Sequence, residues 1–337
     1  MNMSTDPIST PIVLNNEKEI KAVEINDDYN FLGFKLSYSD KITDIIEKNF
    51  KSKLFNIAKF YAWLQYNEQT PFFVKLKVLY GCVFPSILYS AETWGDLKKI
   101  EPSLRAMETK ALKSCLGVKS GTSSDIIYTE LNRPDIISLI KDRQYKFKNK
   151  VDKLNDNEAL MKEIWQLCIQ KNNVNLCLFY QNLAGNNTTL NMNNRKLNIQ
   201  QSNKTMIVRY RSIIGLDYSS ILYDSCLDDE KRKIISRWRL SSHKLRVETG
   251  RYSIPKIDPA NRLCKICLVF EDESHSLFHC RAHRSYREKF ENALNLQNND
   301  IKALLNPRTL SEANLLAKYL QLIEKNMKDL DMTIDIP

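Results

Sequence analysis

Glycine is scarce in this chain, with 8 in 337 residues. That scarcity fits a helical body, because glycine is the residue that sharp turns and left-handed backbone positions select. Long hydrophobic runs are missing too. The longest, such as VLYGCVFPSILYSA at 78–91, are too short to cross a membrane and contain Gly81 and Pro85, so a buried helix pair is expected there. The opening MNMSTDPIST has no basic region followed by an apolar one, so no secretory signal is expected and the chain is placed inside the cell, in nucleus or cytoplasm. Nucleotide-binding GxxxxGK[ST], the serine-hydrolase GxSxG and the metalloprotease HExxH are all absent.

What is present is a soluble globular balance, 43% hydrophobic and 27% charged, long enough for roughly two or three domains. Five of the eight cysteines, Cys82, Cys115, Cys168, Cys177 and Cys226, stand singly in apolar or helical contexts and read as reduced core thiols. The net charge of +10 is unevenly placed. Between Lys231 and Lys289 there are fifteen Lys or Arg against six Asp or Glu, a local net of +9. Charge concentrated in this way points to a polyanion, most simply RNA or DNA.

The pattern along the chain is mainly α. Residues 11–37 have a strand texture, PIVL, EIKAVEI and YNFLGFKLS, broken by NNEK and NDD, which predicts a small antiparallel β element. From Ser39 the period becomes helical, with Ser39 or Asp40 as N-cap. Pro71, Pro85, Pro102 and Pro134 each open a helical run, and Gly117 closes one of them. The segment EALMKEIWQLCIQ is amphipathic, and Asn186 to Lys204 is Asn-rich and poor in apolar residues, so it reads as a linker. The expected division is residues 1–38, a helical domain over 39–185, the linker 186–204, and a basic C-terminal domain over 205–337 that ends in a helix pair.

Three cysteines and two histidines fall within LCKICLVFEDESHSLFHC. Cys264, Cys267, His275 and Cys280 have the spacing C-x2-C-x7-H-x4-C, which suits one structural Zn2+ held with no open coordination position. His279 follows His275 at helical spacing and is the alternative fourth ligand. The insert EDE between the two halves reads as a solvated loop. Zinc deaminases also use CxxC pairs, but the upstream His243 is followed by Lys244 and Leu245 and lacks their H-x-E. Cations flank the cluster: Arg237, Arg239, Lys244, Arg246 and Arg251 before it, and Arg281, Arg284 and Arg287 after it. Trp238 and Tyr252 are interleaved with them, Trp238 reading as core and Tyr252 as a stacking surface for unpaired bases.

In this order the motifs resemble the C-terminal part of a LINE-type, non-LTR retrotransposon reverse transcriptase. Phe31-Leu32-Gly33 resembles the motif that follows the palm, and KLKVLYGCVFPSILYSAETWG the thumb pattern after it. ALKSCLGVKSGTSSDIIYTELNRPDI is similar to the next stretch, and HKLRVETGRY with the CCHC cluster to the basic zinc-binding region. The resemblance implies a palm remnant over 1–38, a thumb over 39–185 and a zinc-binding module that contacts RNA or DNA, with Lys48, Lys51, Lys53, Lys110, Lys113 and Lys119 as thumb cations. It also favours Cys280 as fourth ligand.

RNA-directed DNA polymerases of this kind need palm aspartates that hold Mg2+, and no Y-x-D-D precedes FLGF here. Asp228-Asp229 reads as a helix start. No nuclease carboxylate set follows the cluster. The expectation is therefore a nucleic-acid-binding, non-enzymatic chain without Mg2+, and a protein partner that covers the surface left by the missing palm. Two other readings remain open: a zinc-stabilised helical scaffold for a protein partner, and part of an active polymerase whose palm lies upstream.

Overall fold

The computed structural model describes residues 12–13, 19–20, 29–31, 34–36, 42–154, 185, 187–216 and 218–334. The fold is mainly α-helical, as the glycine count and the 3.6-residue periods imply. Among the described residues, the strands form two short antiparallel pairs, β1 (Ile12–Val13) with β2 (Glu19–Ile20) and β3 (Tyr29–Phe31) with β4 (Phe34–Leu36). The second pair is anchored by Asn49 on α1 (Ile42–Lys53), whose side chain accepts from the Lys35 N–H and donates to the Lys35 carbonyl, both at 2.7 Å.

The first helical group comprises α1, α2 (Phe55–Tyr66), α3 (Phe72–Val78), α4 (Phe84–Ile87), α5 (Glu101–Leu116), α6 (Ser124–Glu130) and α7 (Ile136–Asp152). Pro71 stands at the N-cap of α3 and Pro102 in the first turn of α5. Pro85 stands in the first turn of α4, as expected, but no break in the helix precedes it. α3 passes into α4 through a wide turn over Leu79–Val83, where the Phe84 N–H donates to the Leu79 carbonyl. This i→i+5 bonding absorbs the donor that Pro85 lacks without ending the helix. Asp135 caps α7 by accepting from the Ser138 N–H at 2.8 Å, and Gly117 closes α5 at φ +70°, where a Cβ would stand 2.8 Å from the Lys233 side chain.

The second group comprises α8 (Asn187–Gln201), α9 (Thr205–Ile213), α10 (Ser220–Tyr223), α11 (Asp229–Arg239), α12 (Arg246–Thr249), α13 (Arg284–Phe290), α14 (Ile301–Leu304) and α15 (Leu310–Ile334). The stretch expected to be a linker is α8, packed on α6 and α7. Ile199 is its buried apolar anchor, and the buried Arg195 bonds Asp135 at 2.8 Å with its guanidinium 4.1 Å from the Tyr128 ring centre. These few contacts hold a helix whose composition alone does not demand one. One buried apolar cluster takes residues from both groups, from Ile46 to Ile323.

Ion pairs stitch the groups together. Arg232 of α11 donates to the Cys115 and Leu116 carbonyls at the end of α5, and Asp229 takes Lys75 of α3 at 2.6 Å. Asp228 caps α11 through the Glu230 and Lys231 N–H groups, as a helix-start acid should. Of the five single cysteines, Cys115 is buried, whereas Cys82 and Cys226 are exposed, a correction to the core-thiol reading. Cys168 and Cys177, the segment EALMKEIWQLCIQ and the Ser39 and Asp40 caps lie outside the described residues.

One buried acid gives a pH signature. Glu108 of α5 accepts from the Tyr128 hydroxyl at 2.5 Å and the Ile136 N–H at 2.9 Å, while its other oxygen has no partner. Burial pushes its carboxyl up to about 7 from the usual 4.5. Folding therefore takes up a proton between those values, and stability falls as pH rises through them, by on the order of 3 kcal/mol. Glu108→Gln keeps the acceptor and removes the titration. Its melting temperature should exceed that of the parent at pH 8 and converge with it at pH 5; a constant difference across that range would contradict the assignment.

Candidate metal centre and the basic groove beside it

The first half of the centre is a knuckle. Leu263 pairs with Phe270 in an antiparallel bridge, the Cys264 N–H donates to the Val269 carbonyl at 2.7 Å, and the Leu268 N–H donates to the Cys264 carbonyl at 2.9 Å. Leu268 takes the left-handed position at φ +59°, which costs a non-glycine residue roughly 1 kcal/mol or more. The tight reversal brings Cys264 and Cys267 to one side.

The second half is a single wide turn over His275–His279. Asp272 caps it by accepting from the His275 N–H at 2.8 Å, and the Cys280 N–H donates back to the His275 carbonyl at 2.7 Å. An α-turn would set His279 above His275; the i→i+5 closure brings Cys280 there instead. His279 is exposed and stands outside the cluster.

The ligand atoms of Cys264, Cys267, His275 and Cys280 all lie within 4.8 Å of one another. The Cys280 sulfur is 3.8 Å from that of Cys264 and 3.9 Å from that of Cys267. A disulfide would need about 2.05 Å, whereas the edge of a tetrahedron with about 2.3 Å metal–sulfur bonds is about 3.8 Å. Burial, reinforced by Cys264 and Cys267, pushes the Cys280 thiol up to about 12, since crowded thiols resist ionising without a cation. Burial lowers the His275 pKa, favouring the neutral ring that ligates metals. Its Nε2 is enclosed and has no hydrogen-bond partner. Three converging sulfurs and an orphaned imidazole nitrogen fit a metal ion.

Surrounding groups hold this set in place. The Arg281 N–H donates to the Cys267 sulfur at 3.3 Å, and Arg287 donates to the Cys280 carbonyl at 2.6 Å. From α15, Tyr319 donates to the Leu277 carbonyl at 2.5 Å and Asn326 to the Ala282 carbonyl at 2.7 Å. The insert EDE is a hub and not a solvated loop. Glu271 accepts from the Arg246 N–H, Asp272 caps the histidine turn, and Glu273, 1% exposed, takes His243 at 2.8 Å and Arg209 at 2.5 Å. Sequence spacing carried no hint of this, because its partners come from elsewhere in the chain.

The flanking cations divide. Lys244 and Arg246 line a cavity of about 610 Å³ together with Lys119, Lys265 and the ligands Cys264 and Cys280. Lys244 also borders a second cavity of about 490 Å³ with Arg237, Lys233, Lys325 and Lys328. Arg239 is fully buried against Glu130 and cannot face a ligand, which corrects its place among the nucleic-acid contacts. Arg251 is 3.4 Å from Glu248, Arg284 is exposed and pairs with Glu288 at 2.9 Å, Arg281 is exposed, and Arg287 braces Cys280. Tyr252 is exposed beside another cavity, while Trp238 is core, its Nε1 donating to Glu324 at 3.1 Å.

Of the thumb lysines, Lys51 pairs with Glu47, Lys53 lies over Tyr89 and Lys110 over Tyr61, Lys113 donates to the Ser120 carbonyl, and Lys48 is exposed. Lys119 donates to the His243 carbonyl at 2.6 Å and so stands at the groove. Lys233, Lys265, Lys325 and Lys328 were missed as groove residues; the i,i+3 spacing of the last two on an amphipathic helix was the available signal. No helix among the described residues is long and apolar enough to cross a membrane. No protein-family profile, curated protein or solved structure matches this chain.

Proposed function

We propose that this chain binds nucleic acid as the end of the palm, the thumb and the CCHC region of a LINE-type reverse transcriptase, without a catalytic palm of its own. The reading rests on the motif order and on one observation above all: two of the three metal-site cysteines, Cys264 and Cys280, lie in the wall of a groove lined by Lys119, Lys244, Arg246 and Lys265. The metal is Zn2+ in a structural role, because three thiolates and an imidazole fill a tetrahedron and leave no position for a reacting water. The ion fixes the wall; the lysines and arginine supply the attraction to phosphate, which is independent of sequence and weakens with salt. No Mg2+ enters this account.

The test is affinity for a structured RNA and for an RNA–DNA hybrid across a salt series. Tight binding at low salt that falls steeply is expected, and Lys244→Ala with Arg246→Ala should weaken it and reduce the log–log salt slope by about 1 per residue. Absence of binding at low salt would rule the reading out. The exposed apolar tip of the knuckle, Ile266, Leu268, Val269 and Phe270, favours a scaffold for a protein partner as the second reading. Such a partner would bind with little dependence on salt and would lose affinity on Leu268→Ser.

A further inference from the structure

A cavity of about 590 Å³ lies next to the basic groove and shares Lys119, Thr249 and Ser253 with it. Its interior holds an unusual group. Glu248, on α12, is 1% exposed, and neither of its carboxylate oxygens accepts a hydrogen bond. The Arg251 guanidinium is 3.4 Å from one of them, outside hydrogen-bond geometry. Four donors of the cavity wall are engaged elsewhere: Ser241 bonds Glu273, Thr249 the Leu245 carbonyl, Ser253 the Gly250 carbonyl and Lys119 the His243 carbonyl. Burial raises the Glu248 carboxyl above the usual range, the electrostatic counterpart of those unmet acceptors. A buried acceptor pair of this kind is costly unless a ligand supplies the donors.

Tyr252 borders the same cavity with 59% of its surface exposed. Its hydroxyl end rests against Gly121, where an added Cβ would stand 3.3 Å away. The ring thus offers a flat apolar face beside the carboxylate, and Lys119 and Arg251 place positive charge next to it. Carboxylate, aromatic face and neighbouring cations together describe a neutral flat group with two parallel N–H donors and a phosphate attached. Among the bases only guanine has both N1–H and N2–H on one edge. A guanidinium offers the same donor pair, but the neighbouring cations repel it and attract phosphate.

Resting on the nucleic-acid reading above, we propose that this cavity takes one unpaired guanine of a bound strand, read by Glu248 through N1–H and N2–H and stacked on Tyr252. Such a pocket recognises single-stranded or looped segments, whose bases can be turned out of a stack. It also gives one base-specific contact to a surface whose other contacts are to phosphate.

The experiment is fluorescence anisotropy on the full chain with three labelled RNA oligonucleotides: all-uridine, the same strand with one guanosine, and the same strand with inosine in its place. The guanosine strand should bind about 10- to 100-fold more tightly than all-uridine, and inosine, which lacks the N2 donors, should lose most of that gain. Glu248→Gln should abolish the preference while leaving all-uridine binding intact, with folding checked by thermal melting. Tyr252→Ala, at an exposed position, should weaken the guanosine and inosine strands alike. Equal affinity for all three strands overturns the pocket and leaves the nucleic-acid reading standing; no binding by any strand at low salt overturns both. Competition by N-acetyl-arginine amide with none from 5'-GMP would make the cavity a guanidinium site and overturn the proposal.

Discussion

Glu130→Ala is expected to destabilise the whole fold more than any other single change. The Glu130 carboxylate is fully buried and accepts from four donors: Arg239 Nε at 2.5 Å and Nη2 at 3.2 Å, the Tyr210 hydroxyl at 2.7 Å and the Tyr223 hydroxyl at 2.5 Å. Arg239 reaches on to the Leu305 carbonyl at 2.6 Å and Asn306 at 2.5 Å. One ion pair thus joins α6 to α9, α10, α11 and the turn after α14. Removing the carboxylate leaves a buried guanidinium uncompensated, which costs about 3–5 kcal/mol out of a total stability of about 5–15 kcal/mol. The melting temperature should fall by on the order of 10 °C. Glu130→Gln combined with Arg239→Met removes both charges and should recover part of the loss. A drop of under about 2 °C for Glu130→Ala would show that the network contributes little.

The second large effect is expected at the metal centre. Cys264→Ser, or removal of the ion by a chelator, should open the segment from about Pro259 to His283, because a structural site supplies its folding energy directly. That segment has little core of its own. Ile266, Leu268, Val269 and Phe270 are exposed, and Leu277 and Phe278 are its main buried apolar residues. Hydrogen exchange should show lost protection there, and trypsin should cut at Lys265. The helices on either side should stay protected, because Trp238 and Phe290 belong to the core shared with the rest of the chain. Unchanged exchange and proteolysis in a metal-free protein would show that the four side chains are not a structural site.

The two effects differ in reach for a physical reason. Glu130 and Arg239 are far apart in sequence and tie several elements at once, so their loss is global. The candidate metal ligands all lie within residues 264–280, so they close a small loop and their loss is expected to be local.

The parts legible in the sequence were those decided by near neighbours. Pro102 and Gly117 mark the ends of α5 because a missing donor and a left-handed φ act on the residue itself. The C-x2-C pair marks a knuckle because two residues between ligands leave the chain few ways to turn. By contrast, α8 was read as a linker because its composition is polar, although Arg195 and Ile199 give it two buried anchors on α6 and α7. Pro85 was read as opening a helical run, which it does, but nothing in the local pattern announces the i→i+5 turn that joins that run to α3. The choice between His279 and Cys280 turned on the same kind of turn at His275.

The sequence by itself determined that this protein is mainly helical, that its positive charge is concentrated around one Cys/His cluster, and which residues could serve as ligands. Tertiary structure decided what each charge does. Arg239 and Glu273 are sealed inside as ion pairs, Arg287 braces a ligand, and Lys119 of the first helical group joins Lys244 and Arg246 at one groove. Spacing along a chain fixes only what is within a turn or two. Burial, and with it the strength of every charge and the presence of an unmet carboxylate at Glu248, depends on segments tens to hundreds of residues away.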